Sequence, residues 1–185
     1  MPLPAPQPRR QVNTRETRFR CFLRDDGLWD VEGELLDTKA ELFTIRNERS
    51  WQPGEPIHHM LIRATIDDAK VVHEIAVSME AYPHGICPQA MAHMQRMVGC
   101  TMAGGWRKAI DQHLGKAQGC THIRELLFNM ATAAFQGMER GRAEAAPDET
   151  PAYLGTCTAW DIAGSVVARE FPLLYRPAVS HPEQG

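Results

Sequence analysis

Between Phe19 and Met79 apolar and polar side chains alternate with the period of two that marks a half-buried strand. Phe19, Cys21 and Leu23 alternate with Arg18, Arg20 and Arg24, and Trp29, Val31 and Leu35 with Asp30, Glu32 and Glu34. Asp25-Asp26-Gly27 lies between the two runs and supplies turn chemistry, since glycine takes positive φ without penalty. A polar loop follows at 46–56, carrying Pro53-Gly54. Beyond it His58, Met60, Ile62, Ala64 and Ile66 define one face. After Asp67-Asp68, Val71, His73, Ile75, Val77 and Met79 define another. Two hairpins of this kind predict an antiparallel sheet of about four strands.

From Cys87 the spacing changes to that of helices. Pro88 suits a first helical position, having no N–H to leave unbonded, and Met91, Met94 and Val98 would share one face. Residues 104–114 bring Trp106, Ile110 and Leu114 together, with Gly115 as the stop. Ile123, Leu126, Leu127, Met130, Ala131 and Ala134 form a longer buried stripe that Cys120 or Thr121 can cap. The expected class is therefore α+β, an antiparallel sheet of about four strands packed on about three helices. Residues 1–15, rich in proline, are expected to lack regular structure. The core domain is expected over 16–140. A connector with the sequence GRAEAAPDETP and a C-terminal extension fill 141–185. The apolar runs LGTCTAWDI and SVVAREFPLLY in that extension suit an added hairpin or a path across the surface, with a loose end from Pro177.

Composition narrows the function classes. The chain has 185 residues, 43% of them hydrophobic and 23% charged, which is ordinary for a water-soluble globular domain with a core of its own. A net charge of −3 argues against nucleic acid as a partner, and no apolar run reaches membrane-spanning length. MPLPAPQPRRQ lacks the apolar segment of a secretory signal. Five cysteines at irregular spacing, Cys21, Cys87, Cys100, Cys120 and Cys157, read as reduced thiols, so the expected compartment is the cytoplasm.

The candidate chemistry concentrates between Cys87 and Gln136. Cys87, Cys120 and His122 fall at or near predicted helix starts, where free N–H groups and the helix dipole favour a thiolate. Thiolate and imidazole are ligands for zinc and iron, so these three are the expected metal site, with His84, Asp111 or His113 as a fourth ligand or that position open. The plain alternative is two small buried cysteines at a helix–strand junction. A nucleophilic cysteine with His122 as its base is a further reading. His122, Glu125 and Asn129 draw a polar line along the last helix that either faces a pocket or is simply solvated. Trp106 and Glu125 are the candidates for holding a small ligand. His58-His59 cannot share an ion on a regular strand, because alternation sends one to each face. There is no P-loop, GxGxxG or GxSxG.

At DDGLWDVEGELLDTK, ICP, GGW and GCTHIRELL…ATAAFQ, over roughly residues 15–140, the chain resembles a bacterial family, number 2889 among the domains of unknown function. More distantly, the order strand–strand, cysteine, helix, Gly-bounded helix, cysteine–histidine helix start is similar to the U-type iron–sulfur scaffolds and their sulfur-acceptor relatives. That resemblance implies strands packed on helices, with a cluster or zinc held by cysteines near one tip. Cys87 matches the cysteine after the last strand and Cys120 the one opening the final helix. His122 matches loosely, following its cysteine by two instead of preceding it. The scaffold's middle cysteine has no counterpart, because Cys100 lies too early. The expectation is thus a metal- or iron–sulfur-handling protein with zinc or a cluster at Cys87, Cys120 and His122. Its alternatives are an accessory protein binding a small organic acid, an acyl compound or a partner enzyme, and a cysteine-dependent enzyme.

Overall fold

Strands β1 (Asn13–Leu23) and β2 (Trp29–Lys39) form the first hairpin of the protein in the computed structural model. The structure describes residues 2–141, 150–151 and 153–177. A small antiparallel pair, β3 (Phe43–Thr44) and β4 (Ser50–Trp51), fills the excursion before the second hairpin, β5 (Pro56–Ile66) and β6 (Val72–Ala81). The four long strands lie in the order β1-β2-β5-β6, each antiparallel to its neighbours. This is the α+β architecture that the two alternating hairpins and the later helical periods imply.

One face of this sheet is the core. Register places Cys21, Val31 and Ala64 in one row, Phe19, Gly33 and Ile62 in the next, then Thr17, Leu35 and Met60. Val31, Leu35, Met60 and Ala64 are fully buried. Each large one contributes about 1.5–3 kcal/mol by leaving water. The opposite face carries Glu32 paired with Arg63 and Glu34 with His59, as expected of a solvated side.

Helices cover the core face. Residues Cys87–Met97 form 3-10 turns instead of the predicted α-helix. With three residues per turn it is Met94 and Met97 that are buried, while Val98 is exposed. Helix α1 (Trp106–Leu114) buries Trp106, Ile110 and Leu114 and ends at Gly115. Helix α2 (Thr121–Gly141) buries Ile123, Leu126, Leu127, Met130, Ala134 and Met138 at helical spacing. Two glycines let it lie close to the sheet. A Cβ on Gly33 would stand 3.1 Å from Met130, and one on Gly137 would stand 2.6 Å from the Cβ of Cys21. α2 therefore runs alongside β1 in the same direction, which brings its first turn to the Arg15 end of the sheet.

Two expectations for the strands also change in detail. β1 begins at Asn13, inside the segment expected to be irregular, because Asn13 and Arg15 pair in register with Lys39 and Asp37. In β6 a register shift opposite Thr65/Ile66 turns His73 outward to Asp67 and gives the inward position to Val72, so Val71 and His73 do not continue the face of Ile75 and Met79.

Contacts divide the chain into two compact units, Met1–Arg142 and Ala143–Gly185. In the second, Tyr153, Trp160 and Phe171 pack ring on ring, with Tyr153 and Trp160 4.5 Å apart. Its described residues contain no hairpin. The Asp161 carboxylate and carbonyl accept from Ala163 and Gly164 N–H and turn the chain into a short helix α3 (Ser165–Glu170). Most of the expected connector, 142–149, and the end from 178 lie outside the described residues.

Candidate metal site at the end of the sheet

The row after Thr17, Leu35 and Met60 is not apolar. It consists of Arg15 on β1, Asp37 on β2 and His58 on β5, directly opposite one another. Strand alternation alone puts these three polar side chains on the core side. α2 closes over them, and the spacing of three residues on a helix gives His122 and Glu125 the same face.

Asp37 is the centre of the group and is 5% exposed. Its two oxygens accept from the Arg15 Nε and Nη2, each at 2.7 Å. The second oxygen, Oδ2, also lies 3.0 Å from the His58 Nδ1 and 3.6 Å from the His122 Nε2. The two imidazole rings stack with centroids 3.8 Å apart. Arg15 is held from its other side by the Glu125 carboxylate at 2.6 Å.

Electrostatics fix the charge state. Burial works to raise the Asp37 carboxyl, but the Arg15 fork, its charge and the two imidazoles outweigh this and hold it below the usual carboxylate value. Burial first, together with the charges of Arg15 and His84, lowers His58 against the pull of Asp37. His122 is pushed down to about 4, by burial first and then by His58 and Arg15. At neutral pH the site is one carboxylate between two neutral imidazoles. Those are the protonation states in which a metal is bound.

Among the described residues, Asp37, His58 and His122 form a group whose ligand atoms all lie within 4.8 Å of one another. Neither Cys87 nor Cys120 belongs to it. Both thiols are half-buried against the hydrophobic core. Cys120 does reach its expected neighbour, with Sγ 3.6 Å from the His122 Nδ1. Of the other proposed ligands, His84 pairs with Glu48 and Asp111 with Arg124. Trp106 is 3% exposed, and its Nε1–H donates to the Leu127 carbonyl at 2.7 Å, so its ring serves the core. Glu125 stands at the site through Arg15, whereas Asn129 is exposed and its amide returns to the Glu125 carbonyl. Sequence reasoning passed over Arg15 and Asp37. The signal was present: Asp37 continues the inward series of Val31 and Leu35, a carboxylate in core register.

A cleft of about 510 Å³ opens beside the group, lined by Asn13, Arg15, Asp37, Lys39 and His58 and by apolar side chains including Phe43 and Ile57. The protein is thus an α+β domain with a carboxylate–histidine site where the sheet ends under its longest helix. The chain belongs to the family described as protein of unknown function, DUF2889, which matches residues 13–136 and so spans Arg15, Asp37, His58 and His122. No curated protein and no solved structure matches the chain. No described helix is long and apolar enough to cross a membrane.

Proposed function

We propose that this domain binds a zinc-like divalent metal ion through Asp37, His58 and His122, with a coordination position open toward the cleft. One observation carries the reading. Bonds of about 2.0–2.1 Å in a tetrahedral site set neighbouring nitrogen and oxygen ligands about 3.3 Å apart. The Asp37 Oδ2 stands 3.0 and 3.6 Å from the two imidazole nitrogens, on either side of that value. Three protein ligands with one position left over is the pattern of sites that act on a ligand, whereas purely structural zinc sites are closed by four. Arg15 holds the carboxylate so that Oδ2 faces the imidazoles, and Glu125 holds Arg15. A bound ion would supply Lewis acidity at the open position.

This donor set suits zinc or another borderline divalent ion. It does not suit an iron–sulfur cluster, which needs thiolates. The cysteine-dependent reading has support in the line Asp37–His122–Cys120, where the S···N step of 3.6 Å is ordinary for sulfur but the O···N step of 3.6 Å is longer than a hydrogen bond. A thiolate also needs its histidine to keep the proton, and His122 gives it up down to about 4.

Cobalt(II) titration separates the possibilities. The expected result is one ion per chain, lost in His58→Ala and His122→Ala, kept in Cys87→Ser, and without a sulfur-to-cobalt charge-transfer band. Absence of stoichiometric binding, or a thiolate band that disappears with Cys87→Ser, would overturn the Asp37–His58–His122 assignment.

A further inference from the structure

The cleft beside the site has chemistry of its own. Its volume of about 510 Å³ lies within the range of small-molecule sites. One wall is apolar, formed by Phe43, Ile45, Ile57 and Pro83. Phe43 is fixed from behind by the buried Trp51, whose ring centroid lies 5.9 Å away. The other wall is the sheet end, where Asn13 faces Lys39 across the ladder one row beyond Arg15 and Asp37.

The cations of the cleft differ in what they have left to offer. Arg15 is committed to Asp37 and Glu125. Lys39 has no carboxylate within ion-pair distance among the described residues, and its ammonium stands 5.5 Å over the Phe43 ring. Taken together, the charges of Arg15, Asp37, Glu125 and Lys39 cancel. A divalent ion bound by Asp37 and two neutral imidazoles leaves the cleft positive, with an open coordination position and an ammonium that no described carboxylate pairs.

We propose that this cleft binds a small organic carboxylate with an apolar, ring-sized body. The carboxylate lies between the metal and Lys39, and the body packs on Phe43, Ile45, Ile57 and Pro83. The inference rests on the metal reading above, because without the ion the charges balance and nothing favours an anion. Inorganic anions would leave the apolar wall uncovered, and a neutral ring would leave Lys39 unanswered.

Calorimetric titration of the zinc-loaded full chain with benzoate, benzamide and acetate tests it. Benzoate is expected to bind, acetate at least about tenfold more weakly, and benzamide not measurably. Lys39→Gln is expected to retain zinc and to weaken benzoate about tenfold, the scale of one charge-assisted hydrogen bond. Phe43→Ala should weaken benzoate and leave acetate unchanged. Failure to bind zinc at all would overturn both the site and this inference. Zinc binding without benzoate binding, benzoate binding equal with and without zinc, or equal affinity for benzamide would overturn the inference alone.

Discussion

Arg15 and Asp37 face each other across the β1–β2 ladder, and the guanidinium closes both oxygens of the carboxylate with two bonds of 2.7 Å. The fork matters because Asp37 is buried while Arg15 is 37% exposed. Removing the arginine leaves a buried charge short of its main partner, whereas removing the carboxylate frees a side chain that water can reach. Arg15→Ala is expected to destabilise the metal-free protein by about 2 kcal/mol, below the 3–5 kcal/mol of a fully buried pair. Arg15→Lys should recover only part of it, since an ammonium cannot bind both oxygens at once. Urea unfolding at neutral pH with chelator present measures both. A loss under about 0.5 kcal/mol for Arg15→Ala would show that the fork does not hold Asp37 ionised.

The two imidazoles give stability a pH dependence of known sign. His122 titrates near 4 when folded, against an ordinary 6.5. Between those values the unfolded chain binds a proton that the folded chain refuses, so stability falls as pH is lowered from 6.5 toward 4. His58 shifts the same way. Asp37, lowered from 3.8, acts only in stronger acid, where its pairing is lost as pH falls through its folded value. From pH 7 to pH 5 His122 alone is expected to remove about 2 kcal/mol from the metal-free protein. Urea midpoints at the two pH values check this, and His122→Gln should flatten the difference. An unchanged midpoint in the wild type would mean that His122 is protonated in the folded state.

How legible the site was depends on the range of the interaction. Hairpins and helices followed from local periods, so Leu35, Met60, Ile110 and Leu127 were placed correctly by spacing alone. The inward direction of His58 was legible too, because alternation fixed it. What the periods do not carry is which row of the sheet a helix residue meets. His122 reaches Asp37 only because α2 runs beside β1 and lies close at Gly33 and Gly137. Cys87 and Cys120 share the property of preceding helical segments, but that shared local chemistry puts neither of them in the group formed by Asp37, His58 and His122. Arg15 was lost to proline content, since the strand begins within a segment whose composition reads as irregular.

That close approach of α2 can be tested at Gly137. On an isolated helix Gly→Ala gains up to about 1 kcal/mol. Here the new Cβ would meet the Cys21 Cβ at 2.6 Å and its Sγ at 2.8 Å. A side chain rooted on a strand cannot withdraw its Cβ, so the helix must move off the sheet, and overpacking of this kind costs about 1–3 kcal/mol. Gly137→Ala is therefore expected to be net destabilising. Gly33→Ala is expected to be milder, because its contacts are the flexible Met130 side chain at 3.1 Å and the outer edge of the Phe19 ring at 3.3 Å, with no Cβ or backbone atom among them. Cys21→Gly should rescue Gly137→Ala by moving the missing Cβ to the other side of the contact. A double-mutant cycle measured by urea unfolding should give a coupling of at least about 1 kcal/mol in the rescuing direction. If the two substitutions add independently, α2 does not pack on β1 at this point, and the placement of His122 over Asp37 loses its support.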